Sequence, residues 1–172
     1  MLTFNQKILI YLIFFLTLVI SFILGENSSG GAKIDYLLTK KYIDHFQIDL
    51  SLGIELFKSD NQGHLPFFYI FIANLNSLLG EKFVSYLYLI VSFCIPLVFY
   101  NVLKKNFSEK SYDTLFFLSL IIFLSPYFRS SAVWMTTDNL ALLFFLFSIN
   151  SYLNTQNYPH NYFKNALLCF FF

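Results

Sequence analysis

Two aspartates that are far apart in the chain are the side chains best suited to chemistry. Asp35 lies in a polar stretch, residues 25–64, that holds six acidic residues, and Asp138 stands directly before a long apolar run. A carboxylate at a boundary between membrane and water can take a proton from a hydroxyl group or hold a divalent cation against a phosphate. General-base catalysis contributes roughly 10²–10⁴ in rate, so substrate positioning must supply the rest.

A single arginine accompanies the second aspartate. Arg129 is the only arginine in the sequence and lies nine positions before Asp138. A guanidinium can bind a phosphate through two parallel hydrogen bonds, so a fixed cation at this place suits a phosphate group.

Other chemistries have no motif in this sequence. The glycines form neither a phosphate-binding loop nor a dinucleotide fingerprint, no histidine pair has zinc-ligand spacing, and no serine stands in a nucleophile elbow. Cys94 and Cys169 both lie in apolar runs, which predicts buried thiols rather than a disulfide or a metal site.

Composition sets the class of protein. The chain of 172 residues is 57% hydrophobic and 12% charged, whereas a soluble domain carries about 25% charged residues. With a net charge of +1 as well, the composition excludes a water-soluble globule, a disordered chain and a nucleic-acid binder that uses a basic surface. An integral membrane protein remains.

The apolar runs predict the elements that position the two aspartates. About 20 apolar residues in a helix cross the hydrocarbon core. We predict an all-α, polytopic bundle of transmembrane helices with a helical juxtamembrane outer loop at 25–82. The predicted spans are 8–24, 83–103, 114–128 and 139–153, with the start of another at 165–172.

The outer loop contains a helical pattern of its own. Apolar residues recur at helical spacing at Ile34, Leu37, Leu38, Tyr42 and Phe46. We expect these five to form one face of a helix on the membrane surface. Lys40, Lys41 and Asp44 would then face water.

Lysines in the short loops predict the orientation. If Lys7 is cytoplasmic, the first span carries the loop 25–82 to the outside. The apolar stretch 65–80 is short, and we place it along the surface; if it spans instead, every later assignment flips. The surface placement makes three more lysines cytoplasmic, Lys104, Lys105 and Lys110. Asp35 and Asp138 then lie on the same outer face of a plasma or inner membrane.

Several short motifs resemble a known family. GGAKID (30–35), GHLPFFY (63–69) and LLG (78–80) resemble the first outer loop of the GT-C membrane glycosyltransferases. Ser-Pro (125–126) and Thr-Thr-Asp-Asn (136–139) resemble the later pattern of that family. The likeness is greatest to the enzymes that use polyprenyl- or dolichyl-phosphate sugars, including protein mannosyltransferases and the lipid A aminoarabinose transferase.

The resemblance implies roles for five residues. Asp35 would be the general base on the acceptor hydroxyl, and Asp138 a second acid that orients the base or holds a divalent cation, Mg²⁺ or Mn²⁺. His64 and Arg129 would face the lipid phosphate of the donor, and Tyr69 would contact substrate. The reaction implied is an inverting transfer of a sugar from a polyprenyl phosphate to a lipid, glycan or protein acceptor in the cell envelope, with no other cofactor.

Each of these residues also has a plainer interpretation. Asp35 is one of six acids in its stretch, and acidity alone assigns no role. Asp138 can cap the helix that follows it, and Arg129 can snorkel to lipid headgroups or pair with that same aspartate. His64 can be an ordinary turn residue, and the aromatic run around Tyr69 can be interfacial packing.

Length and rival functions complete the expectations. We expect residues 1–172 to be the N-terminal part of a single membrane glycosyltransferase domain, since residues 165–172 begin a further apolar run. The rivals are a non-catalytic membrane subunit and a transporter of lipid-linked sugars. The enzyme hypothesis expects Asp35 and Asp138 in one outer cavity, whereas a structural subunit leaves them far apart.

Overall fold

The structure, a computed structural model, describes residues 2–27, 31–60 and 66–157. Every regular element in these ranges is helical, which confirms the all-α part of the predicted fold class. In chain order the elements are α1 (Phe4–Leu24), α2 (Ala32–Ile48), α3 (Leu50–Ser59), α4 (Phe67–Leu79), α5 (Glu81–Asn106), α6 (Tyr112–Leu120), a 3₁₀ turn (Ile121–Leu124), α7 (Pro126–Trp134) and α8 (Thr137–Asn157). The predicted span beginning at 165 and Cys169 lie outside the described residues.

Two helices of the described ranges are long and apolar enough to cross a membrane. They are α1, with 21 residues, and α5, with 26 residues, and they contain the predicted spans 8–24 and 83–103. A third candidate exists only if α6, the 3₁₀ turn and α7 are taken as one bent span. These helices are compatible with an integral membrane protein.

The chain bends at Ser125, inside the predicted span 114–128. The axes on the two sides of the break differ by 60°. Ser125 has an extended backbone, its side chain accepts from Phe128 N, and Pro126 occupies the first turn of α7. The residue before a proline is disfavoured in the helical region, and proline cannot donate to the preceding turn. The predicted span 114–128 is therefore not one straight helix.

Helix α8 covers the predicted span 139–153 but is not among the candidate spans. Its apolar run from Leu140 to Phe147 is only eight residues long, and Asn150 and Asn154 follow. The side-chain oxygens of these two asparagines lie 2.5 and 2.7 Å from Lys105 Nζ of α5. The C-terminal half of α8 is therefore tied to α5 through polar groups.

Helix α2 exists as predicted, but its apolar residues do not share one face. Tyr42 and Phe46 are buried, whereas Ile34, Leu37 and Leu38 are more than half exposed. Each step of four residues advances about 40° beyond a full turn, so three steps from Ile34 to Phe46 rotate the direction by about 120°. The buried face of α2 packs against α3 and α4.

Two apolar clusters share the interior. The larger joins α1, α5, α6, α7 and α8, and the smaller joins α2, α3 and α4 to the first half of α5. Cys94, on α5, is a free thiol. It is half-buried, whereas the sequence predicted a buried thiol. Glu81 connects α5 to α2, because it accepts from Tyr36 Oη at 2.6 Å and from Lys40 Nζ at 2.8 Å.

Candidate active site

An open cavity of about 510 Å³ lies between α2 and the turn that joins α7 to α8. Its wall combines carboxylates, hydroxyl groups and aromatic rings. The lining residues are Asp35, Leu38, Thr39, Tyr42, Asp60, Tyr69, Tyr127, Thr136, Thr137 and Asp138. The structure thus places the two aspartates singled out from the sequence, and Tyr69, in the lining of one cavity.

Both aspartates lie in the first turn of a helix. Asp35 is exposed near the start of α2, and Asp138 is half-buried near the start of α8. The unpaired backbone N–H groups of a first turn carry partial positive charge, which favours a carboxylate there. Because α8 begins at Thr137, Asp138 lies inside the helix rather than at the capping position that the sequence left open.

A buried hydroxyl group holds the Asp138 carboxylate. Thr136 Oγ1 donates to Asp138 Oδ2 at 2.6 Å and lies 2.7 Å from Ser131 Oγ. The hydroxyl of Tyr88 donates to the carbonyl oxygen of Thr136. Thr136, Ser131 and Tyr88 are at most 4% exposed, so the direction of the Asp138 side chain is set from the interior.

The asparagine after Asp138 extends this polar network into the core. Asn139 Nδ2 donates to Ser92 Oγ at 3.0 Å and to the carbonyl of Phe128 at 3.1 Å. Its backbone N–H donates to Ser131 Oγ at 3.3 Å. The bonds connect α5, α7 and α8 directly behind the cavity. The sequence offered only one signal for this network, namely polar residues within otherwise apolar helices.

The turn before Asp138 has an unusual backbone. Met135 ends α7 with φ 47° and ψ 44°, and it is the single non-glycine residue with positive φ in the described ranges. A buried residue in the left-handed region costs of order 1–3 kcal/mol and persists only where its surroundings enforce it. The left-handed turn brings Thr136 and Asp138 to the cavity immediately after α7.

A third carboxylate, Asp60, lines the cavity. Asp60, at the end of α3, accepts from Tyr42 Oη at 2.8 Å and from Lys41 Nζ at 3.1 Å. The hydrogen bond from Tyr42, followed by that from Lys41, lowers the pKa of Asp60 below its ordinary value. No sequence pattern distinguishes Asp60 from the five other acids of its stretch.

Tyr69, predicted to contact substrate, belongs to a cluster of three rings. Its ring centroid lies 5.3 Å from that of Tyr42 and 5.6 Å from that of Phe57. Burial raises the pKa of the Tyr69 hydroxyl. Only 7% of Tyr69 is exposed, so it offers an edge to the cavity rather than a stacking face.

Tyr127 is a further aromatic residue that lines the cavity. It is 59% exposed on α7. Its phenol interacts electrostatically with both Asp138 and Asp35. Tyr127 therefore adds a hydroxyl group to the cavity that contains both carboxylates.

Arg129 is not among the residues that line the cavity. Its Nε and one terminal nitrogen each lie 2.8 Å from a carboxylate oxygen of Glu26, and the other donates to the carbonyl of Leu124 at 2.7 Å. Arg129 therefore pairs with Glu26, and not with Asp138. Its contacts tie the end of α1 to the bend at Ser125.

The remaining predictions concern His64 and a metal ion. His64 lies outside the described residues. No group of three or more histidines, cysteines or acids in the described ranges is placed to hold a metal. The cation site at Asp35 and Asp138 therefore stays a prediction from the sequence.

Comparisons of the chain with protein-family models, with curated proteins and with solved structures found no match. The functional argument therefore depends on the cavity and on the short motifs that it contains.

Proposed function

We propose that this chain belongs to an integral-membrane glycosyltransferase of the GT-C type, which transfers a sugar from a polyprenyl phosphate to an acceptor hydroxyl. One observation carries the proposal. Asp35 and Asp138 belong to different motifs of the resemblance, and both line the same open cavity. Its volume of about 510 Å³ falls within the range of roughly 300–1,000 Å³ of small-molecule sites.

The exposed carboxylate is the better base. Asp35 takes the proton of the acceptor hydroxyl, the acceptor oxygen forms a bond to the anomeric carbon, and the bond from that carbon to the phosphate oxygen breaks. Polyprenyl phosphate leaves with the electron pair. Inversion at the anomeric carbon follows from the resemblance to the family.

Asp138, the half-buried carboxylate, is better suited to a fixed position in the site. Asp138 is held by Thr136, whose hydroxyl is itself buried. It orients the reacting groups or provides, with Asp35, the ligands for Mg²⁺ or Mn²⁺. A bound cation would supply positive charge to the leaving phosphate.

The contacts of Arg129 favour a structural function over phosphate binding. Its guanidinium is 18% exposed and already engages both oxygens of Glu26. Binding a phosphate would require Arg129 to give up this partner. His64 stays the proposed residue at the donor phosphate.

Sugar transfer by the Asp35→Asn variant tests the proposal. The full-length protein in membranes is supplied with a radiolabelled polyprenyl-phosphate hexose and an acceptor, and the transferred label is counted. We expect Asp35→Asn to lower the rate by about 10²–10⁴. Glu55→Gln is the matched control, because Glu55 is an exposed acid of the same stretch outside the cavity. Undiminished turnover of Asp35→Asn would remove Asp35 from the mechanism.

A transporter of lipid-linked sugars is the rival proposal. It needs polar side chains that line a path through the membrane. Ser92 and Asn139, two buried polar residues of α5 and α8, bond to each other and to α7 instead. The transfer assay separates the two proposals, since a transporter forms no glycosidic bond.

A further inference from the structure

A second cavity lies among α1, α5 and α6. It is a groove of about 470 Å³, and aromatic and aliphatic side chains form nearly all of its wall. The aromatic part of the wall includes Tyr11, Phe93 and Phe116, of which Tyr11 and Phe116 are at most 6% exposed. The groove shares no lining residue with the cavity of Asp35 and Asp138.

The open side of the groove is aliphatic. Ile8, Leu12 and Leu97 line it and are 40–46% exposed. Both flanking helices, α1 and α5, are candidate membrane spans. Exposed aliphatic groups on a span face lipid, so the groove opens toward acyl chains.

The length of the groove fits one leaflet. Its lining residues on α1 extend from Phe4 to Leu12. Eight residues of helix rise about 12 Å. Half of the hydrocarbon core is roughly 15 Å thick, so the groove extends along most of one leaflet.

Two lysines lie at one end of the groove: Lys7 lines it, and Lys104 lies over the ring of Tyr100, which lines it. Asp113 is already engaged by Lys7 Nζ at 2.8 Å and by the backbone N–H of Leu2 at 2.9 Å. Lys104 Nζ lies over the rings of Tyr100, at 5.4 Å, and Tyr112, at 5.1 Å. Among the described residues, no carboxylate lies within ion-pair distance of Lys104. Its charge is therefore left for another anion.

We propose that this groove binds an anionic phospholipid, with one acyl chain along the aromatic wall and the phosphate at Lys104. Burial of the acyl chain supplies the hydrophobic part of the affinity, and the uncompensated ammonium selects the headgroup. Basic pockets between membrane helices commonly select anionic headgroups in this way. The proposal is independent of the glycosyltransferase proposal, because the two cavities are separate.

Native mass spectrometry of the full chain in detergent tests this proposal. The protein is titrated with phosphatidylglycerol or with phosphatidylcholine of the same acyl chains, and the affinity for the first bound lipid is measured. We expect phosphatidylglycerol to bind about fivefold more tightly, which corresponds to one lysine near the phosphate. Equal affinities of the unaltered chain for the two lipids would overturn the proposal.

Three variants locate the site. Lys104→Gln should abolish the preference for phosphatidylglycerol, and Lys110→Gln, at an exposed lysine in the loop after α5, should preserve it. Leu97→Trp should fill the groove and weaken the first binding step for both lipids. A preference that survives Lys104→Gln contradicts the proposal. So does binding that appears only after truncation at Asn157, because the chain's own C-terminal residues would then be the occupant.

Discussion

Thr136 Oγ1 lies 2.6 Å from Asp138 Oδ2, and the threonine is only 4% exposed. A hydrogen bond from a buried hydroxyl to a carboxylate is stronger than one between neutral groups. The core of the protein therefore orients a side chain that lines the cavity. This arrangement distinguishes Asp138 from an aspartate whose only function is to begin a helix.

Removal of the Thr136 hydroxyl should loosen Asp138. We expect Thr136→Val to lower the free energy of unfolding by about 1–3 kcal/mol, because Ser131 loses a buried partner. Misplacement of the carboxylate should also reduce sugar transfer by between about 10- and 100-fold. Thermal unfolding in detergent and the transfer assay measure the two effects. Thr136→Ser should restore both stability and sugar transfer. Thr137→Val, at the exposed neighbour, should change stability little. If the serine variant restores neither, the hydrogen bond from Thr136 to Asp138 does not have the proposed function.

Asn139 should matter to stability as a hydrogen-bonding residue. Asn139→Leu removes the donors to Ser92 Oγ and the Phe128 carbonyl in a site that is 2% exposed. The loss should be about 1–3 kcal/mol in the free energy of unfolding. Asn74→Leu is the control, because Asn74 is exposed and bonds only within its own helix; it should change stability by less than about 0.5 kcal/mol. Equal effects of the two variants in thermal unfolding would be inconsistent with the network.

Gly53 should be required by the contact of α3 with α2. A Cβ atom at this position would lie 2.2 Å from the Phe46 ring, and the glycine is itself buried. We expect Gly53→Ala to destabilise the protein by about 1–3 kcal/mol through overpacking. The same substitution should cost much less in a Phe46→Leu background. A double-mutant cycle by chemical denaturation checks this, and purely additive effects would show that Phe46 is not the obstacle.

The ion pair of Glu26 and Arg129 should show coupling. Each side chain is less than one fifth exposed, so Arg129→Gln leaves a partly buried carboxylate and should cost about 1–3 kcal/mol in stability. Adding Glu26→Gln should restore part of the loss in thermal unfolding. Transfer activity decides between the two functions considered for Arg129. If activity recovers together with stability in the double variant, Arg129 has a structural function. If activity stays low in the double variant, Arg129 binds the donor phosphate.

Low pH should reduce the contribution of Asp60 to the stability of the fold. Its folded-state pKa is lowered, mainly by the hydrogen bond from Tyr42, so the carboxylate stabilises the fold fully above its unfolded pKa of about 3.9. That contribution is lost as pH falls through the lower folded value. Tyr42→Phe removes the largest cause, so its melting temperature should fall less steeply below about pH 4 than that of the unaltered protein. Identical pH profiles would show that Tyr42 does not act on Asp60.

The sequence identified the elements whose signal is local. Helices α1 and α5 follow from long uncharged runs, and α1 also has sharp ends. Thr3 and Gln6 form reciprocal hydrogen bonds at its start, and Gly25 ends it in the left-handed conformation with φ 61°. In the structure, Gly80 stands directly after α4 and Pro126 begins α7.

The sequence does not show the directions of the helix axes or the contacts between residues that are far apart in the chain. Apolar content shows that residues 114–128 avoid water, but not that the chain bends by 60° at Ser125. The pairing of Arg129 with Glu26 joins residues 103 positions apart, and no local pattern indicates it. Asp60 reaches the cavity because α2 and α3 pack through Gly53, a contact that depends on the absence of a side chain.

Substituted-cysteine labelling tests most directly whether Asp35 and Asp138 share one pocket on the outer face. Asp35→Cys and Asp138→Cys are made separately in the full-length protein without its native cysteines, and sealed cells receive a membrane-impermeant maleimide. Lys110→Cys tests the side that the sequence predicts to be cytoplasmic. We predict that both aspartate positions are modified from outside and that Lys110→Cys reacts only after the membrane is opened. Modification of Asp35→Cys and Asp138→Cys from opposite faces would contradict the shared site and the transfer reaction built on it.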